Sequence, residues 1–169
     1  MSYYVWETRR SRDHQVLVPG FPSTYAELQF NLLAGRRAHR ELPEIDIRFR
    51  AEGAWTLTDD LVIARRRCLV HSDALIEVLR NVGVDGLDVL PCRLINEADG
   101  RVLRTHHVVN LLDVIHCLDR DASELEVDDE EPNEIWAIHT LQLRHDRLGD
   151  SLMFRLGERR HTVIVHERV

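Results

Sequence analysis

Ten histidines, three cysteines and 29 carboxylates are the side chains of this 169-residue chain that could bind a metal, attack a substrate or move a proton. Their spacing decides which chemistry is open to them. No histidines stand as HxH, HxxxH or HExxH and no CxxC joins them, so the local ligand patterns of zinc sites are missing. His106 and His107 are adjacent, as are His116 and Cys117, and on a strand such neighbours point to opposite faces and cannot grip one ion. Cys68 and His71 could be imagined as nucleophile and base, but three residues across a strand end is poor geometry for that hydrogen bond. Ser72, Ser123 and Ser151 lack the GxSxG elbow, and neither GxGxxG nor GxxxxGKS occurs. The run Glu126 to Glu131 offers oxygens without the alternating ligands and central glycine of an EF-hand loop. These spacings predict no catalytic residue, no metal site and no cofactor.

All 22 basic residues are arginine. Without lysine there is no phosphate-loop lysine, no kinase lysine and no Schiff base to a carbonyl. The acids are unevenly spread. Asp119, Asp121, Glu124, Glu126, Asp128, Asp129, Glu130, Glu131 and Glu134 face only Arg120 between residues 119 and 134, a local balance of −8 against −7 for the whole chain. Such a segment repels a phosphate backbone, which argues against a nucleic-acid partner. Its plainer reading is a solvated, mobile loop. The functional alternative makes Asp128, Asp129, Glu130, Glu131 and Glu134 a partner-binding site, where a cationic protein surface would turn self-repulsion into attraction.

The element that everything else is placed against runs from Arg67 to Asn96. Ser72 can cap a helix with Asp73 in its first turn, and Leu75, Ile76, Leu79 and Val82 recur at the three- and four-residue spacing of one apolar face. Gly83 is expected to close that helix in the left-handed conformation, and Gly86 to supply a second permissive turn before a strand over Leu87 to Ile95. Val102 to Val109 then completes a hairpin through the Asn96–Gly100 turn.

Upstream, Tyr3 to Glu7 reads as a strand, ended by the charged cluster Arg9 to Asp13. Pro19, Gly20 and Pro22 mark a loop, and Thr24 with Glu27 starts a helix that Gly35 ends. Ile45, Ile47 and Phe49 alternate with Asp46, Arg48 and Arg50 as in a half-buried strand. Trp55 to Arg67 reads either as a helix or as a loop. Downstream, Asn110 to Leu118 predicts a buried strand, Ile135 to Leu143 a strand buried on both faces, and Ser151 to Leu156 and Thr162 to Val165 the last two strands. Val163 to Val169 echoes Cys68 to Ala74, so a second helix is expected to begin there.

The length suits one domain over residues 1–169 that buries roughly two thirds of its unfolded surface. The expected class is α+β, with a mixed, largely antiparallel sheet and a few packed helices. Cys68, Cys92 and Cys117 sit in apolar runs and read as small buried hydrophobes, which fits a reducing cytoplasm. No signal pattern or long apolar run predicts export or a membrane span.

Two stretches and the end of the chain carry a resemblance. LVHSDALIEVLRNVGVDGLDVLP (Leu69 to Pro91), VVNLLDVIHCLDRDASEL (Val108 to Leu125) and the final MFRLGERRHTVIVHERV together resemble the bacterial polymorphic-toxin immunity family typified by a myxobacterial immunity protein. The matching positions are Ser72, Gly83 and Gly86, then Asn110, Cys117, Leu118, Asp119 and Ser123, then Phe154, Arg155 and Leu156. The likeness covers the chain from about Asp59 onward, residues 1–58 being less diagnostic, and it departs where the helix after Ile164-Val165 is only begun. It implies a non-catalytic cytoplasmic protein that binds and neutralises a cognate or sibling antibacterial toxin, encoded beside it. Ser72, Gly83, Gly86, Asn110, Asp119 and Ser123 are then architectural. Two rivals stand beside that reading: a hydrolase using Asp119 or Asp113 with His116, and a structural scaffold.

Overall fold

The computed structural model describes residues 2–6, 25–38, 44–52, 55–61, 68–131 and 133–169. These residues fold mostly as sheet, with two α-helices, fewer than the sequence suggests. They fall into two compact units, Glu7–Leu112 and Asp113–Val169 with Met1–Trp6.

In Glu7–Leu112, β2 (Ile45–Phe49), β3 (Asp60–Leu61), β4 (Leu69–Ser72), β5 (Leu87–Asn96), β6 (Val102–Leu103) and β7 (His106–Leu111) form one sheet in the order β2-β5-β7-β4-β3, with β6 added against β5. The β2–β5 pair is parallel and the others antiparallel. The alternation in β2 is realised as read: Ile45, Ile47 and Phe49 are buried while Arg48 is exposed. They join Leu61, Cys68, Val70, Leu90, Cys92, Leu94 and Val108 with Leu28 and Leu32 of α1 (Ala26–Leu33) in one core. Each such aliphatic or aromatic side chain contributes about 1.5–3 kcal/mol when fully buried.

α2 (Asp73–Asn81) starts where Ser72 predicts: its Oγ accepts from the Leu75 N–H at 3.1 Å, and Asp73 occupies the first turn. Ile76 and Leu79 are buried, as the helical spacing requires. Val82 departs from that face. It is the C-cap and is exposed, and the buried residue is Val84, whose N–H turns back to the Leu79 carbonyl. Gly83 does take the left-handed conformation, at φ 94°. Gly86 is not among the positive-φ glycines, and its carbonyl instead accepts from the Leu112 N–H.

In the other unit, β1 (Tyr3–Val5), β8 (Val114–Ile115), β11 (Met153–Leu156) and β12 (Val163–His166) form a sheet in the order β1-β12-β11-β8, with only β11–β8 parallel. β9 (Glu124–Val127) and β10 (Ile135–Thr140) form a separate antiparallel pair. Cys117, Leu118, Ile135, Leu148, Phe154, Leu156 and Ile164 make this unit's core.

Several expectations are corrected. The run Val102 to Val109 is broken at Arg104-Thr105, and the pairing with β5 slips by one residue there, from Leu94↔Leu103 to Pro91↔His107. Asn110 to Leu118 is no single strand: β7 ends at Leu111, and Asp113 accepts the Arg155 N–H through its backbone carbonyl before β8 begins. β10 is buried on one face only, because a two-stranded pair has one side in solvent. The acidic stretch is not all loop, since β9 lies inside it. Residues Glu167 to Val169 make a turn, with the Val169 N–H bonded to the His166 carbonyl, where a helix was expected. Trp55 to Leu61 carries no helix. The cluster Arg9 to Asp13, the loop at Pro19, Gly20 and Pro22, the Thr24 cap and residues 62–67 lie outside the described residues.

Candidate functional site

The candidate partner site is the β9–β10 hairpin. Its register, Ile135↔Val127, Ala137↔Glu126, Ile138↔Leu125 and Thr140↔Glu124, sorts the side chains onto two faces. Leu125, Val127, Ile135 and Ile138 turn inward to the Phe154 and Leu156 core. Glu124 and Glu126 turn outward, where Thr140 donates to Glu124 at 3.2 Å and His139 lies 3.7 Å from Glu126. The ladder skips twice, at Trp136 and at His139, and these bulges re-aim the residues they add.

The tip holds the predicted acids. Asp128 Oδ1 accepts from the N–H groups of Glu130 (2.8 Å) and Glu131 (3.1 Å), and the Asp128 and Glu134 N–H groups bond to the carbonyls of Glu134 and Glu131. Asp128 is thus a turn-former as well as a charge. Asp128 and Asp129 are half-buried, while Glu130, Glu131 and Glu134 are exposed. The residues proposed as one site therefore do gather at one tip.

Asp119 and Ser123 sit at the hairpin's base. Asp119 accepts from the Ala122 N–H through its carboxylate and from the Ser123 N–H through its carbonyl. Ser123 Oγ accepts from the Gln142 N–H at 3.0 Å and donates to the Gln142 carbonyl, closing the ladder that the Leu118↔Leu143 bridge opens. In the other unit, the buried Asn110 amide donates to the Arg36 carbonyl at 2.8 Å and ties the segment after α1 to β7.

A second polar constellation, which the sequence spacing does not reveal, surrounds the start of α2. Ser72 Oγ donates to Asp59 at 2.6 Å, His71 lies 3.2 Å from Asp60, and His107 lies 2.7 Å from Asp73. Buried His106 faces the Thr58 carbonyl through Nε2 (3.0 Å) and the Thr105 hydroxyl through Nδ1 (3.0 Å). A carbonyl can only accept, so Nε2 carries the proton and Nδ1 takes the hydroxyl hydrogen. Burial pushes the His106 pKa below its ordinary value, which favours this neutral form. Ser72 is engaged as cap and donor and faces no imidazole base in these contacts. Its residue type alone hints at the cap; its partner Asp59 arrives from just before β3, and Asp60 and His107 come from β3 and β7, so the rest of the constellation needs the sheet.

Burial lifts the Cys92 and Cys117 thiols to about 12, which removes them as thiolate nucleophiles near neutral pH. All three cysteines are free and buried, as read. Among the described residues no three histidine, cysteine or carboxylate side chains gather as a metal site. The hydrolase trio is drawn to different partners. Asp113 accepts from Ser151 Oγ at 2.6 Å, Asp119 caps its turn, and the exposed His116 ring lies over Gly157, where an added Cβ would come within 2.5 Å of it. No described helix is long and apolar enough to cross a membrane.

No curated protein matches the chain. A family model does: the one described as "Immunity protein family (Imm11)" matches residues 4–169, running through both units and through Ser72, Asn110, Asp119 and Ser123. The chain belongs to the Imm11 immunity protein family.

Proposed function

We propose that this protein acts in the cytoplasm by binding and neutralising a cognate or sibling antibacterial toxin encoded beside it, without catalysis of its own, and that residues 1–169 serve as one functional module. The family supports the immunity function. The observation that carries the binding reading is the hairpin tip, where Glu130, Glu131 and Glu134 are exposed and Asp128 accepts from the Glu130 and Glu131 N–H groups. Such concentrated charge steers a cationic partner into place and raises association rates by about 10–10³-fold at low salt.

The test is co-expression with the protein encoded by the neighbouring gene. Cells carrying both are expected to grow, and cells carrying the neighbour alone to arrest. Arrest in both, with the two purified proteins failing to associate, overturns the reading.

A further inference from the structure

The outer face of the β9–β10 hairpin holds an aromatic ring in a setting that the chain completes elsewhere by itself. Trp136 is the residue added by the first bulge of β10, beside Ala137, which stands opposite Glu126. It is 54% exposed, although its backbone is pinned: Arg159 donates from Nε to the Ile135 carbonyl (3.1 Å) and from Nη2 to the Trp136 carbonyl (2.7 Å). A large ring in solvent on a fixed backbone loses little conformational freedom on binding, which is the character of an interface anchor. Around Trp55 the chain supplies the missing piece. The Arg101 guanidinium lies 5.4 Å from that ring's centroid and 3.8 Å from the Asp99 carboxylate, a sandwich of ring, cation and acid. Here the hairpin sets Glu126 opposite Ala137, next to the exposed Trp136, with His139 3.7 Å from that carboxylate. Residues 121–143 contain no arginine or lysine, and Arg159, which reaches the hairpin, gives its Nε and Nη2 to the Ile135 and Trp136 carbonyls.

We infer that Trp136 is a platform for an arginine side chain of the protein partner, whose guanidinium stacks on the indole while Glu126 supplies the counter-charge. Arginine suits this site better than lysine, because its planar group can lie flat on a ring and present a fork of donors to a carboxylate at once. The site rests on the toxin-binding reading only for the identity of the partner; its chemistry is a property of the hairpin.

The probes are N-acetyl-hexa-arginine amide and N-acetyl-hexa-lysine amide, titrated at low salt into the full chain and into Trp136→Ala, Trp136→Phe and Glu126→Gln, each checked for an unchanged melting temperature. Hexa-arginine is expected to bind more tightly than hexa-lysine and to quench tryptophan fluorescence. Trp136→Ala should weaken it by about five- to thirty-fold, with Trp136→Phe intermediate. Binding within twofold of wild type in Trp136→Ala, or equal binding of the two peptides, shows attraction by net charge alone and overturns the inference. The same Trp136→Ala variant goes into the co-expression assay. Growth protection by the wild type together with Trp136-independent peptide binding overturns the platform and leaves the immunity reading standing. Trp136-dependent peptide binding without protection supports the platform and removes the toxin as its partner.

Discussion

Around the start of α2, Asp59, Asp60 and Asp73 each lie against Ser72, His71 or His107, whereas at the tip of the β9–β10 hairpin Glu130, Glu131 and Glu134 stand in solvent while Asp128 accepts from two backbone N–H groups. Both regions are rich in acid, but the charge has different work. In the first, Asp59 takes the hydrogen of the buried Ser72 hydroxyl, so removing either member of that pair costs stability. In the second, most carboxylates repel one another, so removing them should cost nothing and change only what the surface attracts.

The largest effect that would break this contrast lies at Ser72. Ser72→Ala removes the helix cap and the donor to Asp59 together, and a loss of about 1–3 kcal/mol is expected from urea unfolding. A loss below about 0.5 kcal/mol would mean that the α2 constellation is as dispensable as the hairpin tip.

The next effect is a pH dependence at His106. Its folded pKa is depressed by burial, so the unfolded chain binds the extra proton first. This contribution is fully present above the unfolded pKa of about 6.5 and is lost as the pH falls below that value toward the folded pKa. Asp59 and Asp73 oppose the shift and His107 adds to it, so they set how far below 6.5 the loss extends. Melting temperatures from pH 8 to pH 5 should fall on the acid side, and His106→Gln should flatten that slope. A slope unchanged in His106→Gln assigns it to other groups.

The smallest stability effect belongs to the hairpin. Replacing Asp128, Asp129, Glu130 and Glu131 together by serine should leave the melting temperature unchanged or raised, since serine can still accept from the turn N–H groups at position 128. Association with the toxin should slow at low salt and depend less steeply on salt, five of the nine acids between residues 119 and 134 being kept. A fall in melting temperature would show that the tip's acids are structural after all.

Local signals in the sequence were sufficient where structure is made locally. Ser72, Asp73, Ile76 and Leu79 lie within eight residues, and their spacing alone places cap and buried face; Ile45, Ile47 and Phe49 do the same for β2. The misreadings fall where a distant partner decides. Val82 is turned out by the cap geometry after it, and the break at Arg104-Thr105 is a register slip against β5. Trp136 looked like one more buried strand residue because nothing in IWAIHT marks a bulge. Glu124 to Val127 looked like loop because its charges hide an alternation that only β10 gives meaning. The same limit hid His106, whose carbonyl partner Thr58 arrives from before β3. The candidate site was thus legible as a charge, and its aromatic ring and outward face were not.

The pairing of β1 with β12 bears on how the chain reaches this state. Tyr3 meets His166 in the ladder and packs its ring at 4.9 Å against that imidazole and at 6.0 Å against Phe154. Synthesis at about 5–20 residues per second leaves β1 waiting on the order of ten seconds for its neighbour, while Glu7–Leu112 has every one of its own strands in hand well before then. The long sequence separation of this one seam favours its late closure, and even when closed β1 remains the edge strand of its sheet, with Tyr4 and Val5 exposed beside its unpaired side.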